Sequence, residues 1–294
     1  ISWPKINFQD ERIRRLNTLI LPAALSSSIV QINLTVDNIL ASTLETGSIS
    51  WLAYSIHIME LPVALVAIAI ATVILPHLSH AKLHPSPQAH NAIDWSLKII
   101  FILGIPSSIA LIALSDAIIT SLFQYGSFTA KDAYMAARSL QAYAAGVLFI
   151  MLIRVTLPIF FANQDTKTPF KIAIIAMLVN IVANLILIEY LAHIGLALAT
   201  SLAAVVQISL IFYYLIKRKW FYFTHQWLVF IVKIICANAV LAGLLILANQ
   251  PTDFWLESSF IARASYLAAL CIAGVIIYFG CLKLLRINFT KLKL

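Results

Sequence analysis

The sequence predicts an all-α integral membrane protein with about eight transmembrane helices. Of its 294 residues, 62% are hydrophobic and 11% are charged, whereas soluble domains carry about 25% charged residues. A soluble protein of this composition would lack the polar side chains needed to cover its surface. A disordered chain would be richer in charge and poorer in apolar residues. Stretches of about 20 apolar residues, the length that crosses a bilayer as a helix, recur along the chain.

Eight stretches are long and apolar enough to form these helices. In chain order they are residues 16–44, 49–75, 95–114, 133–162, 169–188, 194–216, 227–248 and 261–285. Several contain a proline, which transmembrane helices tolerate at kinks. The segment 116–126, between the third and fourth spans, is amphipathic and is expected to lie along the outer membrane interface.

The distribution of Lys and Arg predicts the orientation of the spans, because cytoplasmic loops carry an excess of both. Fifteen of the 20 Lys and Arg fall on one side of the eight spans. An even number of spans also places both ends of the chain on that side, which we expect to be the cytoplasm. The net charge of +8 is explained by these loops, so nucleic acid is not an expected partner.

Ionisable side chains inside the predicted spans are candidate functional residues, because each costs about 2.5–3.5 kcal/mol to insert at the bilayer centre. His57 and Glu60 are three residues apart in the second span and share one helix face. They predict a cavity lining for a charged substrate or a proton relay, or else a pair closed on itself between helices. Arg154, in the fourth span, predicts an anion clamp or a side chain that extends to the headgroups.

A further set of polar residues offers oxygen ligands. Asn180 and Asn184 are one turn apart in the fifth span, Thr200 lies in the sixth, and Asp37 lies in the outer half of the first. Oxygen ligands with one negative charge suit a hard monovalent cation, so these four residues form a candidate cation site. The alternative is hydrogen bonding between helices, for which membrane proteins often use Asn.

Motifs of enzymes and of metal centres are missing from the sequence. The three Cys lie in apolar runs without a CxxC spacing, and no Gly-rich phosphate loop, HExxH or Ser-His-Asp pattern occurs. The histidines His77, His80, His84 and His90 are interrupted by two prolines and have no carboxylate or Cys to complete a metal set. We interpret them as loop residues and predict that the protein is not an enzyme.

Five short motifs follow one another in a recognisable order. They are GSxSW at 47–51, MExP at 59–62, LPxLS at 75–79, FxxGxFT at 123–129 and QDTKTP at 164–169. On these motifs the chain resembles the MurJ (MviN) family of lipid II flippases, of the multidrug/oligosaccharidyl-lipid/polysaccharide exporter superfamily. The resemblance covers most of the first six spans, and the last two match by position and hydrophobicity.

The resemblance implies a fourteen-helix flippase fold, of which this chain would hold the second six-helix lobe and two C-terminal helices that form a groove for the lipid tail. The implied regions are a cytoplasmic basic segment (1–15), the lobe (16–217), a cytoplasmic loop (218–226), the groove pair (227–285) and a cytoplasmic tail (286–294). The start at Ile1 would then mark the boundary between two lobes, and the missing N-terminal lobe would be a partner.

The resemblance also assigns roles residue by residue. His57, Glu60 and Arg154 become substrate-binding residues, with His57 standing where the family usually has Arg and Arg154 where it often has Lys. One branch of the family has a sodium site, and the residues of this chain that resemble it are Asp37, Asn180, Asn184 and Thr200. In that branch the position of Asn184 is acidic. Apart from this sodium ion, no cofactor is implied.

The function expected from the resemblance is translocation of the lipid-linked peptidoglycan precursor, lipid II, across the bacterial cytoplasmic (inner) membrane by alternating access, for cell-wall biosynthesis. The expected partners are this precursor, membrane lipids and the missing lobe. One alternative is an exporter of another lipid-linked oligosaccharide or polysaccharide repeat unit of the same superfamily. A membrane glycosyltransferase or acyltransferase, and a non-transporting fragment that packs against a partner, are alternatives of other classes.

Overall fold

The computed structural model of the chain describes residues 28–80 and 87–287, with the backbone alone for 75–80 and 87–89. The predicted basic segment, the start of the first span, the segment with Lys82 and His84, and the end of the tail lie outside the described residues. Within the described ranges every regular element is helical. The prediction of an all-α fold is therefore confirmed.

Eleven helices and one π-helical turn follow one another along the described chain. They are α1 (28–42), α2 (Ser48–Pro62), the π turn (Val63–Ile68), α3 (Ala69–His80), α4 (Pro87–Ala113), α5 (Ser115–Phe123), α6 (Ala130–Ala144), α7 (Val147–Ala162), α8 (Lys167–Lys217), α9 (His225–Ala248), α10 (Thr252–Glu257) and α11 (Phe260–Leu284). Among the described residues, five helical stretches are long and apolar enough to cross a membrane, and a sixth is formed by α6 and α7, which meet at 47°.

The 51-residue helix α8 consists of two antiparallel arms. Its backbone breaks at Ala192, where φ is 48° and ψ is −130°. Asn180 in the first arm then lies beside Thr200 in the second, with 3.5 Å between Nδ2 and Oγ1. The turn is so tight that a Cβ on Gly195 would lie 2.5 Å from the carbonyl oxygen of Leu187. The two arms correspond to the fifth and sixth predicted spans, so counting them separately gives seven spans among the described residues. Helix α1 is the described part of the first predicted span.

Two hydrophobic cores hold the described helices together. The larger core joins α2, α4, α6, α7 and α8 and includes the fully buried Leu140 and Phe160. The smaller core joins α4 and α5 to α9, α10 and α11 and includes Trp255 and Tyr278. Because α4 contributes to both cores, it connects the first set of helices to the pair α9 and α11.

Hydrogen bonds fasten α9 and α11 to the length of α4. They run from Trp227 Nε1 to Asp94 Oδ1 (2.6 Å), from the Tyr278 hydroxyl to the Ile102 carbonyl (2.7 Å), and from Asn249 Nδ2 to the Ala113 carbonyl (3.1 Å). In lipid, helices associate through close packing and hydrogen bonds of this kind, since the solvent is itself apolar. The pair is thus held at both ends and at the middle of α4.

Candidate functional site

A partly polar cavity of about 480 Å³ opens among α1, α7 and the two arms of α8. Helical periodicity explains its lining, because positions three and four apart share one face of a helix. The polar side chains of the lining are Gln31, Asn33, Asp37, Arg154, Asn180, Thr200 and Gln207. Asp37 and Arg154 are the two charged groups among them, so the cavity presents one charge of each sign.

Asp37 is joined to the two arms of α8 by a chain of hydrogen bonds. Asn184 donates from Nδ2 to Asp37 Oδ1 (2.6 Å) and to Asn180 Oδ1 (3.1 Å). Asn180 in turn donates to Thr200 Oγ1, and the Thr200 hydroxyl donates to the Leu196 carbonyl (3.2 Å). The structure therefore brings together all four residues of the candidate cation site. It also contains the interhelical hydrogen bonds that the alternative interpretation requires.

The donor set of this cluster fits a hard monovalent cation in part. Asp37 supplies the negative charge, and the amide and hydroxyl oxygens of Asn180 and Thr200 are neutral ligands of the type that such ions accept. The buried Oδ1 of Asn184 has no hydrogen-bond partner among the described residues. Its Nδ2, however, lies between Asp37 and Asn180, where a cation would have to bind. A cation must therefore displace or rotate the Asn184 amide.

His57 and Glu60 are not among the residues that line this cavity. Both side chains are exposed on α2, and no hydrogen bond or ion pair joins either of them to any described residue. The closed His–Glu pair considered above is thus not formed. Arg154, which the sequence grouped with these two as a substrate-binding residue, instead lines the cavity that holds Asp37.

An apolar groove of about 260 Å³ lies between α4, α9 and α11. Its walls are mostly aliphatic and aromatic, with Leu103, Leu241, Leu270 and Tyr278 among the lining residues. Val66, from the π turn that follows Pro62, reaches the same groove. The helix that carries His57 and Glu60 is therefore followed directly by the π turn, which contributes one residue to the groove wall.

Several motifs that the sequence singled out form turns and helix ends. Gly47, at φ 109°, packs so closely on the Trp51 ring that a Cβ there would lie 2.7 Å from it. Trp51 donates from Nε1 to Asp132 Oδ1 (2.8 Å), and Asp132 forms a capping box with Thr129 at the start of α6. These residues join α2 to α6 and line neither the cavity nor the apolar groove described above. The sequence therefore identified the motifs but not their role.

The QDTKTP motif forms an ion-pair clamp that sequence reasoning did not identify. Asp165 accepts a hydrogen bond from the Thr168 amide (3.0 Å) and pairs with Arg218, whose Nη2 donates to Thr168 Oγ1 (2.8 Å). Burial alone would raise the pKa of Asp165, but the hydrogen bonds from Thr168 and the Arg218 guanidinium outweigh it and lower that pKa. The carboxylate is therefore ionised at neutral pH and holds the start of α8 against its end.

The interpretation of the four histidines as loop residues is wrong for three of them. His77 and His80 lie in α3, and His90 lies in α4, where its ring stacks on Tyr222 at 4.0 Å between centroids. His84 lies outside the described residues. No group of three or more His, Cys, Asp or Glu in the described ranges is arranged to hold a metal ion.

Comparison with known proteins shows a match along almost the whole chain. The family model for lipid II flippase MurJ matches residues 2–266. A probable lipid II flippase MurJ of Vibrio cholerae is 39% identical over 292 residues, which cover 99% of this chain and 55% of that protein.

A solved structure of lipid II flippase MurJ in an inward closed conformation is 27% identical, with a TM-score of 0.73 over 95% of this chain and 57% of that one. A multidrug resistance MATE transporter of the MOP superfamily shares the fold at 17% identity, with a TM-score of 0.60 over 95% of this chain and 66% of that one. The chain thus spans little more than half the length of the first two.

Proposed function

Because the chain belongs to the MurJ family of lipid II flippases, a family of transporters of the inner membrane, we propose that it takes part in moving lipid II across that membrane by alternating access. The single observation that carries the proposal is the combination of a partly polar cavity, lined by one charge of each sign, and an apolar groove on one set of packed helices. A lipid-linked precursor has a polar diphosphate headgroup and an apolar tail, and each needs its own surface. No covalent step is required, only a change in which side of the membrane the polar surfaces face.

In this proposal the helices divide as the sequence predicts. The six-helix lobe (16–217) carries the polar surfaces, and the pair within 227–285 provides the groove for the lipid tail. The groove's apolar lining supports this division, because a prenyl chain binds through apolar contact alone. Both ends of the chain, with the basic segment (1–15), the loop (218–226) and the tail (286–294), would lie in the cytoplasm.

His57, Glu60 and Arg154 are the proposed contacts for the headgroup. The exposed and unpaired state of His57 and Glu60 supports this role, since ionisable side chains inside membrane helices usually face a cavity or a partner. We propose that the α2 face that bears them meets a first lobe across the transport path. Arg154 would supply a permanent positive charge for phosphate.

Asp37, Asn180, Asn184 and Thr200 are the proposed binding site of a sodium ion that biases the transport cycle. The hydrogen-bonded cluster supports the proposal because it gathers several oxygen ligands and one charge at one wall of the cavity. The position of the Asn184 amide suggests that the affinity for sodium is low.

Site-directed photo-crosslinking tests the proposed headgroup contact. We expect a photoreactive residue at position 57 or 60 to capture lipid II in membranes that contain the assembled transporter. A matched probe at Leu178, which is exposed on α8 away from the described cavity lining, serves as the control. Equal capture from position 178, or capture of a different lipid-linked oligosaccharide in preference to lipid II, would contradict the proposal. The second result would favour the alternative exporter.

A further inference from the structure

At one end of the molecule, where the α7–α8 turn meets the α8–α9 connection, lysines lie without an acidic partner in the part of the chain that the structure describes. Two acidic residues lie there within the described chain, and each already has a basic partner. Asp165 pairs with Arg218, and Asp94 pairs with Lys98 at 2.6 Å. Arg218 is turned toward the protein, where its guanidinium lies 4.9 Å from the Trp220 ring centre.

Four lysines beside this clamp have no acidic partner among the described residues. Lys167 and Lys171 flank Thr168 on the first turns of α8, and Lys217 and Lys219 flank Arg218 at its end. Because Arg218 donates a hydrogen bond to Thr168, the two ends of α8 that carry these pairs of lysines are held against each other. All four side chains are exposed, and the Lys217 ammonium lies 5.5 Å from the Tyr213 ring centre.

Aromatic residues fix the connection that carries Lys219. Phe221 and Trp227 are almost fully buried in the core of the lobe, and Tyr222 stacks on His90. Tyr222 and Phe223 are themselves 58% and 50% exposed. Aromatic rings at the end of a transmembrane helix lie at the depth of the lipid headgroups. The four lysines therefore stand at the level where lipid phosphates lie.

We propose that this surface, the four lysines together with Tyr222 and Phe223 (the basic collar), binds the phosphate groups of anionic phospholipids of the surrounding bilayer. The proposal goes beyond the proposed transport of lipid II, because these lipids would stay in their leaflet. Lysine presents a compact charge without a preferred geometry, whereas the bidentate phosphate donor, Arg218, is already occupied by Asp165. The basic collar thus selects lipids by charge and discriminates little between anionic headgroups.

The test is a titration of the detergent-solubilised protein with phosphatidylglycerol, followed by native mass spectrometry. Lys217→Gln/Lys219→Gln should weaken lipid binding about twenty- to thirtyfold, since each lysine near a lipid surface contributes about fivefold. The double variant Lys167→Gln/Lys171→Gln, on the other side of the clamp, should weaken lipid binding to a similar extent. It provides the test if the first double variant does not fold. Lys131→Gln is the matched control, because Lys131 is already paired with Glu45 near the start of α6.

The expected result is a loss of binding in both double variants, with unchanged binding in the Lys131 variant and an unchanged melting temperature without lipid. Undiminished affinity in both double variants would overturn the proposal. So would binding of phosphatidylcholine as tight as that of phosphatidylglycerol. Full competition by millimolar inorganic diphosphate would overturn it as well, by identifying a site for soluble phosphate.

Discussion

Asn184 occupies the position on which the proposed cation binding at the cavity wall depends. Its amide nitrogen donates to both Asp37 and Asn180, so a hydrogen-bond donor stands where a cation would need acceptors. A carboxylate at the same position would offer two more oxygen ligands and a second negative charge. The identity of this one side chain therefore sets how strongly the cluster attracts a cation.

Substitutions at Asn184 and Asp37 should change sodium dependence in opposite directions. We expect Asn184→Asp to lower the sodium concentration needed for half-maximal transport by about tenfold or more, because it adds a charge next to the ion. Asp37→Asn should abolish any sodium dependence. Transport rates measured against sodium concentration test both, with Asn38→Ala, an exposed neighbour, as the control. Unchanged sodium dependence in the Asp37 variant would rule out the site.

His57 should tolerate a permanent charge but not the loss of its side chain. Arginine is always protonated and binds phosphate with several donors, whereas alanine offers none. We expect His57→Arg to sustain growth of cells that depend on this transporter, and His57→Ala to reduce lipid II translocation about tenfold or more. His225→Ala, at an exposed histidine at the start of α9, is the control. Equal growth with both His57 variants would remove His57 from the site.

Part of the cavity could be predicted from the sequence, because its polar residues stand out at helical spacings inside apolar spans. Asn180 and Asn184 are one turn apart, so their common face follows from helix geometry alone. The hydrogen bond from Trp51 to Asp132 could not be predicted, since it joins residues 81 positions apart through the packing of two helices. That Arg154 lines the cavity beside Asp37, while His57 does not, depends on helix packing in the same way.

At the level of the elements, α8 shows how one tight turn positions the site. The two arms place Asn180, Asn184 and Thr200 side by side only because the chain reverses at Ala192. The spans themselves were predictable from hydropathy, as was the break between the fifth and sixth. The 47° bend between α6 and α7 and the π turn after Pro62 were not. An apolar sequence shows how long a helix is but not how it bends.

Gly195 should be essential for the hairpin of α8. In Gly195→Ala the new Cβ would clash with a backbone carbonyl oxygen that cannot move aside as a side chain can. We expect a loss of about 1–3 kcal/mol in the free energy of unfolding, which is the typical cost of overpacking. Gly243→Ala is the matched control, because nothing lies within 4 Å of its Cβ position in α9. Thermal unfolding in detergent measures both, and an equal effect of the two changes would contradict the proposed role of the turn.

The clamp between Asp165 and Arg218 should stabilise the junction of α7, α8 and the loop before α9. We expect Arg218→Ala to cost about 1–2 kcal/mol, since the pair is buried only in part. The pKa of Asp165 is lowered, so the contribution is complete at neutral pH and is lost only as the pH falls below about 4. Melting temperatures of the wild type and of Asp165→Asn should therefore differ at pH 7 and converge in acid. A constant difference across this range would contradict the ion pair.

For the whole molecule, the hydrogen bonds between helices imply that the proposed groove pair, α9 and α11, moves together with the helices of the proposed lobe. Hydrogen bonds to both ends and to the middle of α4 hold α9 and α11. In addition, Arg263 at the start of α11 donates a hydrogen bond to Gln124 (2.7 Å), the residue after α5. A lipid tail in the groove would then keep its position relative to the cavity during transport. The family relationship and the helical class were both predictable from the sequence, because motifs and apolar length encode them. The hydrogen bonds that hold α9 and α11 in place depend on tertiary contacts and were not predictable from the sequence.

Translocation of lipid II in reconstituted vesicles tests the central claim most directly. The residues of the Vibrio cholerae relative that align with this chain would be replaced by it, and the appearance of lipid II in the opposite leaflet would be followed over time. We predict transfer at a rate close to that of the unmodified relative, and its loss in the chimera that carries Glu60→Gln together with Arg154→Gln. A chimera that folds and inserts but moves no lipid II, or one whose transfer is unaffected by these two substitutions, would contradict the account.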